Sequence, residues 1–269
     1  MENLSLFIKP FLNCTDGELI ETLKELGISR IEYPIRDGLK ITPDNCEEEF
    51  PKIYRNLKEN GIEVISVAGP VGAFKESIFK CMKSCGITCM RVMLPMLSDT
   101  DYIKAEQRYI KELSEGIEFC KKYHAKIVIQ PHNGRFLSNV YELRSLIEKL
   151  DPKYVRAVWD LGHSALTNEV PEKAVDIIFD YIDVVNLKSA YFKRIETDDG
   201  IKYWAFYTTG DECPCDWERA VNLLKERGYK GSFCTHAEYS DSTEWGCLEG
   251  EEAKRLLKKD LEYMQNLNI

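Results

Sequence analysis

Three of the chain's four histidines, His132, His163 and His236, stand just beyond short apolar runs, each close to another polar side chain. The fourth, His124, falls at the end of a helical pattern. The polar groups that follow apolar runs are, in chain order, Glu32 and Arg36, Gln130 and His132, Asp160 and His163, Asn186 and Lys188, and His236 and Glu238. Packing has no need of such a set. It contains what proton-transfer chemistry uses. His236 and His132 titrate near neutral pH and can act as acid or base. Lys188 can stabilise an enolate or bind a hydroxyl. His163, Glu32 and Glu238 offer hydrogen bonds to a polyhydroxylated substrate. Arg36 and Arg135 are grips for a carboxylate or phosphate, although no Gly-rich phosphate loop is visible. Trp204, or its neighbour Tyr203, offers a face on which a sugar ring can stack.

Eight apolar runs position these groups: Leu6–Ile8, Arg30–Glu32, Val64–Val67, Met90–Met93, Ile127–Ile129, Ala157–Trp159, Val184–Leu187 and Phe233–Thr235. Near-continuous apolar runs suit parallel strands buried on both faces. Amphipathic helical patterns separate them. Thr15-Asp16-Gly17-Glu18 is a capping box, followed by Leu19, Ile20, Leu23 and Leu26 on one helix face. Gly61, Gly86 and Gly228 each precede a strand. Eight β/α units without a composition break predict one (β/α)₈ TIM barrel over residues 1–269, in preference to a doubly wound sheet. Such barrels carry their sites at the C-terminal ends of the strands, where the polar groups fall. The one long interruption, Ser189 to Cys215, follows strand seven. There Asp199-Gly200 separates two aromatic-rich runs, which predicts a hairpin insertion.

The 269 residues carry 36 Lys and Arg against 45 Asp and Glu, a net charge of −9. No basic cluster is present to neutralise phosphates, which excludes nucleic acid as the expected partner. No apolar run approaches a membrane span. The N-terminal residues show no secretory signal, so a cytoplasmic location with reduced thiols is expected for the ten cysteines. Cys81, Cys85 and Cys89 are spaced four apart, and Cys213-Pro214-Cys215 is a weak metal or redox signal. Most of these thiols are expected to be small buried hydrophobes.

Ile129-Gln130-Pro131-His132-Asn133, Trp159-Asp160-Leu161-Gly162-His163 and Val185-Asn186-Leu187-Lys188 occur in order, with Ile31-Glu32 before them and Asp216-Trp217 through Gly228-Tyr229-Lys230-Gly231 after them. In this ordered set the chain resembles the xylose isomerase-like TIM barrel family of sugar isomerases, epimerases and inosose dehydratases. The resemblance implies a divalent ion held by a Glu, an Asp, a His and a second Glu from strands five to eight. In the epimerases of the family the two Glu residues also exchange protons with the sugar carbon. Carried over by position, those ligands are Gln130, Asp160, Asn186 and His236, with Glu238 the alternative to His236 after a two-residue slip. Lys188 is followed by Ser189 where the family has Asp.

One carboxylate, two amides and one imidazole make a poorer cation site than three carboxylates and an imidazole. Gln130 cannot act as acid or base. The expectation is therefore no tightly bound cofactor, and at most a weakly held Mn²⁺, Mg²⁺, Co²⁺ or Zn²⁺. The expected function is that of a sugar or cyclitol isomerase or epimerase, or lyase, with an altered metal site. The partner is a small sugar or polyol, and the assembly is left open between a monomer and a homo-oligomer. The alternative is a non-catalytic barrel that binds a polyol or a protein partner. An endonuclease relative is disfavoured by the acidic charge and the scarcity of metal ligands.

Overall fold

Parallel strands that are apolar on both faces need a covering of helices, and the alternation of patterns supplies one after nearly every strand. The computed structural model describes residues 3–70, 74–96, 101–212, 215–241, 246–267 and 269. The strands are β1 (Leu4–Phe7), β2 (Arg30–Pro34), β3 (Glu63–Ala68), β4 (Cys89–Val92), β5 (Lys126–Ile129), β6 (Val155–Asp160), β7 (Ile182–Leu187), β8 (Ser189–Thr197), β9 (Gly200–Thr208) and β10 (Ser232–Thr235). The helices are α1 (Asp16–Glu25), α2 (Cys46–Glu59), α3 (Glu76–Cys85), α4 (Tyr102–Tyr123), α5 (Val140–Ile147), α6 (Leu161–Leu166), α7 (Pro171–Ile178), α8 (Trp217–Glu226) and α9 (Gly250–Asn266).

Eight strands close into a parallel barrel in the order β1-β10-β7-β6-β5-β4-β3-β2. The predicted α/β barrel is the observed fold, and its strand cores lie where the apolar runs place them. The predicted capping box forms: Thr15 Oγ1 accepts from the Glu18 backbone and the Glu18 carboxylate accepts from the Thr15 backbone N–H. β8 and β9 stand outside the barrel as an antiparallel pair, from Ser189 opposite Thr208 to Thr197 opposite Gly200. Cys81 and Cys85 lie buried on α3 while Cys89 lies in β4, which separates the three. Cys213 and Pro214 lie outside the described residues, and the Cys215 thiol donates to the Leu161 carbonyl.

The alternation of side chains along a strand explains where the polar residues go. The large core lies mainly between the strands and the helices. Two small apolar clusters, Phe7, Ala68 and Cys234 and then Cys89, Val128 and Val158, share Val184. Residues two positions further along a strand point the same way. From Cys89, Val128, Val158, Val184 and Cys234 that step leads to Arg91, Gln130, Asp160, Asn186 and His236, all buried. A second step from Asn186 leads to Lys188, whereas Glu238 follows His236 across Ala237, whose left-handed φ of 48° breaks the alternation. The polar set is thus stacked on an apolar layer at the C-terminal end of the barrel.

Candidate active site

The layer is joined by hydrogen bonds whose donors and acceptors are determined by chemistry. Arg91 has only donors. Its Nε and Nη2 reach Glu32 Oε2 at 2.8 and 2.5 Å, and its Nη1 reaches Gln130 through the side-chain oxygen. That contact turns the Gln130 amide nitrogen toward Asp160, where it donates to Oδ2 at 2.6 Å. Asn186 Nδ2 donates to the same oxygen at 3.0 Å. Asp160 Oδ1 accepts the His163 backbone N–H at 3.0 Å, capping α6, a short helix absent from the sequence-based reading. Ser66 Oγ donates to the other Glu32 oxygen at 3.2 Å.

Above this network lies a second one. Lys188 Nζ donates to Glu238 Oε2 at 2.6 Å and sits 4.4 Å from the centre of the Tyr207 ring. His236 Nδ1 is 3.3 Å from the same Glu238 oxygen. An ionised carboxylate only accepts, so Nδ1 carries the proton and Nε2 is left as a lone pair. His163 is set in the opposite tautomer. Its Nδ1 accepts the Asn133 backbone N–H at 3.4 Å, which places the ring proton on Nε2. His132 lies beside it, with ring centres 4.1 Å apart. Among the described residues, His236 Nε2, His163 Nε2, Asn186 Oδ1 and Arg36 Nη2 are buried without a hydrogen-bond partner.

Electrostatics follow from burial and pairing. Burial raises the Glu32 carboxyl, but the charge and hydrogen bonds of Arg91 outweigh it and the pKa is lowered. Burial likewise opposes ionisation of Asp160, yet His163, Lys188, His236 and the Asn186 amide hold it well below the usual carboxylate range. Burial lowers Lys188, but Glu238, Tyr207 and Asp160 raise it further, so it stays an ammonium. Glu238 is lowered despite burial, chiefly by Lys188 and His236. Burial is the leading cause that lowers His132, His163 and His236, against the pull of their neighbours.

The sequence-predicted residues therefore divide. Gln130, Asp160 and Asn186 are in direct contact. His236 lies at their alternation step, and Glu238, beyond the left-handed Ala237, meets Lys188. Glu32 joins through Arg91. Arg36 Nε donates to the Gly69 carbonyl at 2.9 Å, and its guanidinium lies 5.7 Å from the Phe7 ring. Arg135 is exposed on the loop after β5, and Trp204 is exposed on β9. Arg91 and Tyr207 were not singled out from the sequence. An arginine in the middle of Cys89-Met90-Arg91-Val92, at an inward position of a buried strand, was the available signal.

These residues do not fit a divalent ion held in the family manner. The Gln130 oxygen is taken by a guanidinium, the two amides present N–H groups to Asp160, and the buried charge of Arg91 opposes a second cation. Glu32, Cys234 and His236 bring ligand-type atoms within 4.8 Å of one another. There Glu32 is already bound by Arg91, and burial pushes the Cys234 thiol well up, away from the thiolate a metal requires.

The inosose dehydratase of Mesomycoplasma hyopneumoniae (strain J) is 22% identical over 237 residues, covering 81% of this chain and 71% of that protein. That of Clostridium tetani is 26% identical over 145 residues, 48% of this chain and 47% of the relative, about half its length. Among solved structures, a D-psicose 3-epimerase crystallised in the presence of D-fructose superposes with a TM-score of 0.71 at 13% identity, over 98% of this chain and 99% of that one. The IolI protein with a bound zinc atom gives 0.74 at 15% identity, over 96% of both. The model of the xylose isomerase-like TIM barrel matches residues 20–267. With the closed barrel and the ordered strand-end residues, that match assigns the chain to the xylose isomerase-like TIM barrel family.

Proposed function

We propose that this protein is a sugar or cyclitol isomerase or epimerase, or a lyase, whose chemistry is proton transfer by its own side chains at the C-terminal end of the barrel. The observation that carries the reading is the Glu238–His236 pair. Glu238 orients the imidazole and leaves Nε2 a buried lone pair without a partner. Such a base takes a proton from the carbon beside a carbonyl. The electron pair moves onto the carbonyl oxygen, which receives a hydrogen bond from His163 Nε2–H. Lys188 and His132 stand close by as the ammonium and the second imidazole. A proton delivered to the other face of the carbon by Lys188 or His132, with the proton on His236 passing to solvent to restore the pair, gives epimerisation. Loss of a neighbouring hydroxyl as water gives dehydration. Both outcomes share this first step, and the relatives include a dehydratase and an epimerase.

Glu32, Arg36, Arg135, His163, Trp204 and Glu238 are assigned to substrate binding. The family ligand positions Gln130, Asp160, Asn186 and His236 bind a divalent ion weakly or not at all, because Arg91 supplies the positive charge there. The domain comprises the whole chain, and no helix among the described residues is long and apolar enough to cross a membrane. A cytoplasmic location is part of this reading, supported by a cysteine content expected to stay reduced.

The amides at Gln130 and Asn186 favour a second reading, a barrel that binds a polyol without turning it over. Incubation of inososes and ketoses in D₂O separates the two. Incorporation of deuterium, lost in His236→Gln, is the expected result. Binding without exchange selects the second reading. Metal analysis of protein purified without chelator is expected to find well under one equivalent of Mn, Co or Zn. A full equivalent that Cys234→Ser or Asp160→Ala removes would overturn the metal statement.

A further inference from the structure

Four of the buried atoms without partners among the described residues belong to the site, and they describe the ligand that would satisfy them. Asn186 Oδ1 is an acceptor and calls for a hydroxyl donor, while the His236 Nε2 lone pair faces the proton that the ligand gives up. His163 Nε2–H and Arg36 Nη2–H are donors and call for oxygen acceptors. Three of the four are neutral. Arg36 alone carries a full charge. Its orientation is set from two sides, by the Gly69 carbonyl on Nε and by the Phe7 ring 5.7 Å away.

The charged groups around Arg36 are Arg91, Glu32 and Glu238. Both carboxylates already have cations of their own. Glu32 is held by Arg91, and Glu238 by Lys188 at 2.6 Å and by Lys9 at 3.5 Å. Arg36, Arg91 and Lys188 balance Glu32, Asp160 and Glu238, and Lys9 adds one positive charge. A buried guanidinium with an unfilled donor is costly unless an acceptor arrives with the ligand, and a charged acceptor satisfies it best.

We propose that the ligand is a polyhydroxylated carboxylate, a sugar acid or a cyclic polyol acid, with its carboxylate on Arg36, a hydroxyl on Asn186 Oδ1 and its acidic carbon facing His236 Nε2. This deepens the functional reading above and rests on that site. A phosphate is disfavoured because a single open guanidinium donor and no Gly-rich loop would receive its several oxygens.

The test is isothermal titration of the full chain with D-gluconate and D-galacturonate, against the neutral D-glucose, D-fructose and myo-inositol, with D-fructose 6-phosphate as a further arm. At least one carboxylate should bind about tenfold or more tightly than the neutral compounds, an advantage that falls as salt is raised. Arg36→Met should erase that advantage without weakening the neutral compounds, and Arg36→Lys should keep part of it. Melting temperatures of both variants, read beside the titrations, show whether they are folded. Should Arg36→Met fail to fold, Arg36→Lys and the salt dependence carry the test. Failure of both carboxylates to bind, equal binding of neutral compounds, preference for the phosphate, or an advantage that survives loss of Arg36 overturns the proposal. Arg36-dependent carboxylate binding without deuterium exchange would leave this proposal standing and remove the catalytic one. Exchange on neutral ketoses together with no Arg36-dependent advantage for either carboxylate would do the reverse.

Discussion

Arg91 decides the character of the site at the level of single residues. It is almost wholly buried, and its three contacts tie Glu32 to Gln130 and, through the Gln130 amide, to Asp160. Breaking a buried ion pair by removing one partner leaves an uncompensated charge, which costs about 3–5 kcal/mol. Arg91→Met is expected to lose stability on that scale in urea denaturation. Removing both charges in Glu32→Gln/Arg91→Met should restore much of the loss, since the buried carboxylate is then gone. If the double variant is as unstable as the single one, the pair is not what the network depends on.

Among the elements, the β8–β9 hairpin is the least like the rest. Its base carries Tyr207, whose ring covers Lys188 and whose hydroxyl donates to Asn133 Oδ1 at 3.4 Å. Further out, Phe192, Ile201, Tyr203 and Trp204 are exposed. Alternation places Tyr207, Phe192, Tyr203 and Ile201 on one face, because cross-strand partners share a side. Tyr207→Ala uncovers the Lys188–Glu238 pair and should weaken ligand binding in the titrations. Trp204→Ala, at an exposed position, should change stability by no more than about 0.5 kcal/mol. It should nonetheless weaken either ligand binding or self-association, followed by titration and by sedimentation. A Trp204→Ala protein unchanged in both would remove that residue from the site.

The whole molecule responds to acid through its buried histidines. His132, His163 and His236 are all lowered from 6.5, so the folded state resists protonation that the unfolded chain accepts. Below about pH 6.5 the unfolded state binds more protons, and stability falls as pH falls. Asp260 acts in the other sense. Burial holds its carboxyl up at about 6, so it favours the folded state as pH drops toward 3.8. Glu169, also raised by burial, acts with Asp260, but the three histidines and the lowered carboxyls of Glu32, Asp160 and Glu238 act against them, and the melting temperature should decline from pH 7 to pH 5. His163→Gln should flatten that decline by about one proton's worth of slope. A melting temperature that is level or rising over this range would contradict the lowered histidines.

The sequence by itself determined the barrel, its strand cores, the capping box of α1 and the strand ends on which the polar residues stand. These are properties of local pattern: period-two burial, helical periodicity and capping chemistry act over a few residues and can be read in one dimension. The departures at Gln130 and Asn186 were legible in the same way. What an amide does there was not. Only the closed barrel brings Arg91 of β4 beside Glu32 of β2 and Gln130, which follows β5, where the guanidinium, having no acceptors, turns the Gln130 amide and the Asp160 carboxylate turns that of Asn186. Tautomers were likewise decided in three dimensions, since Glu238 and the Asn133 amide choose which nitrogen of His236 and His163 carries the proton. Arg135 lies on the exposed loop after β5 and Trp204 on the exposed part of β9, both outside the barrel strands, so the barrel's register points neither of them inward.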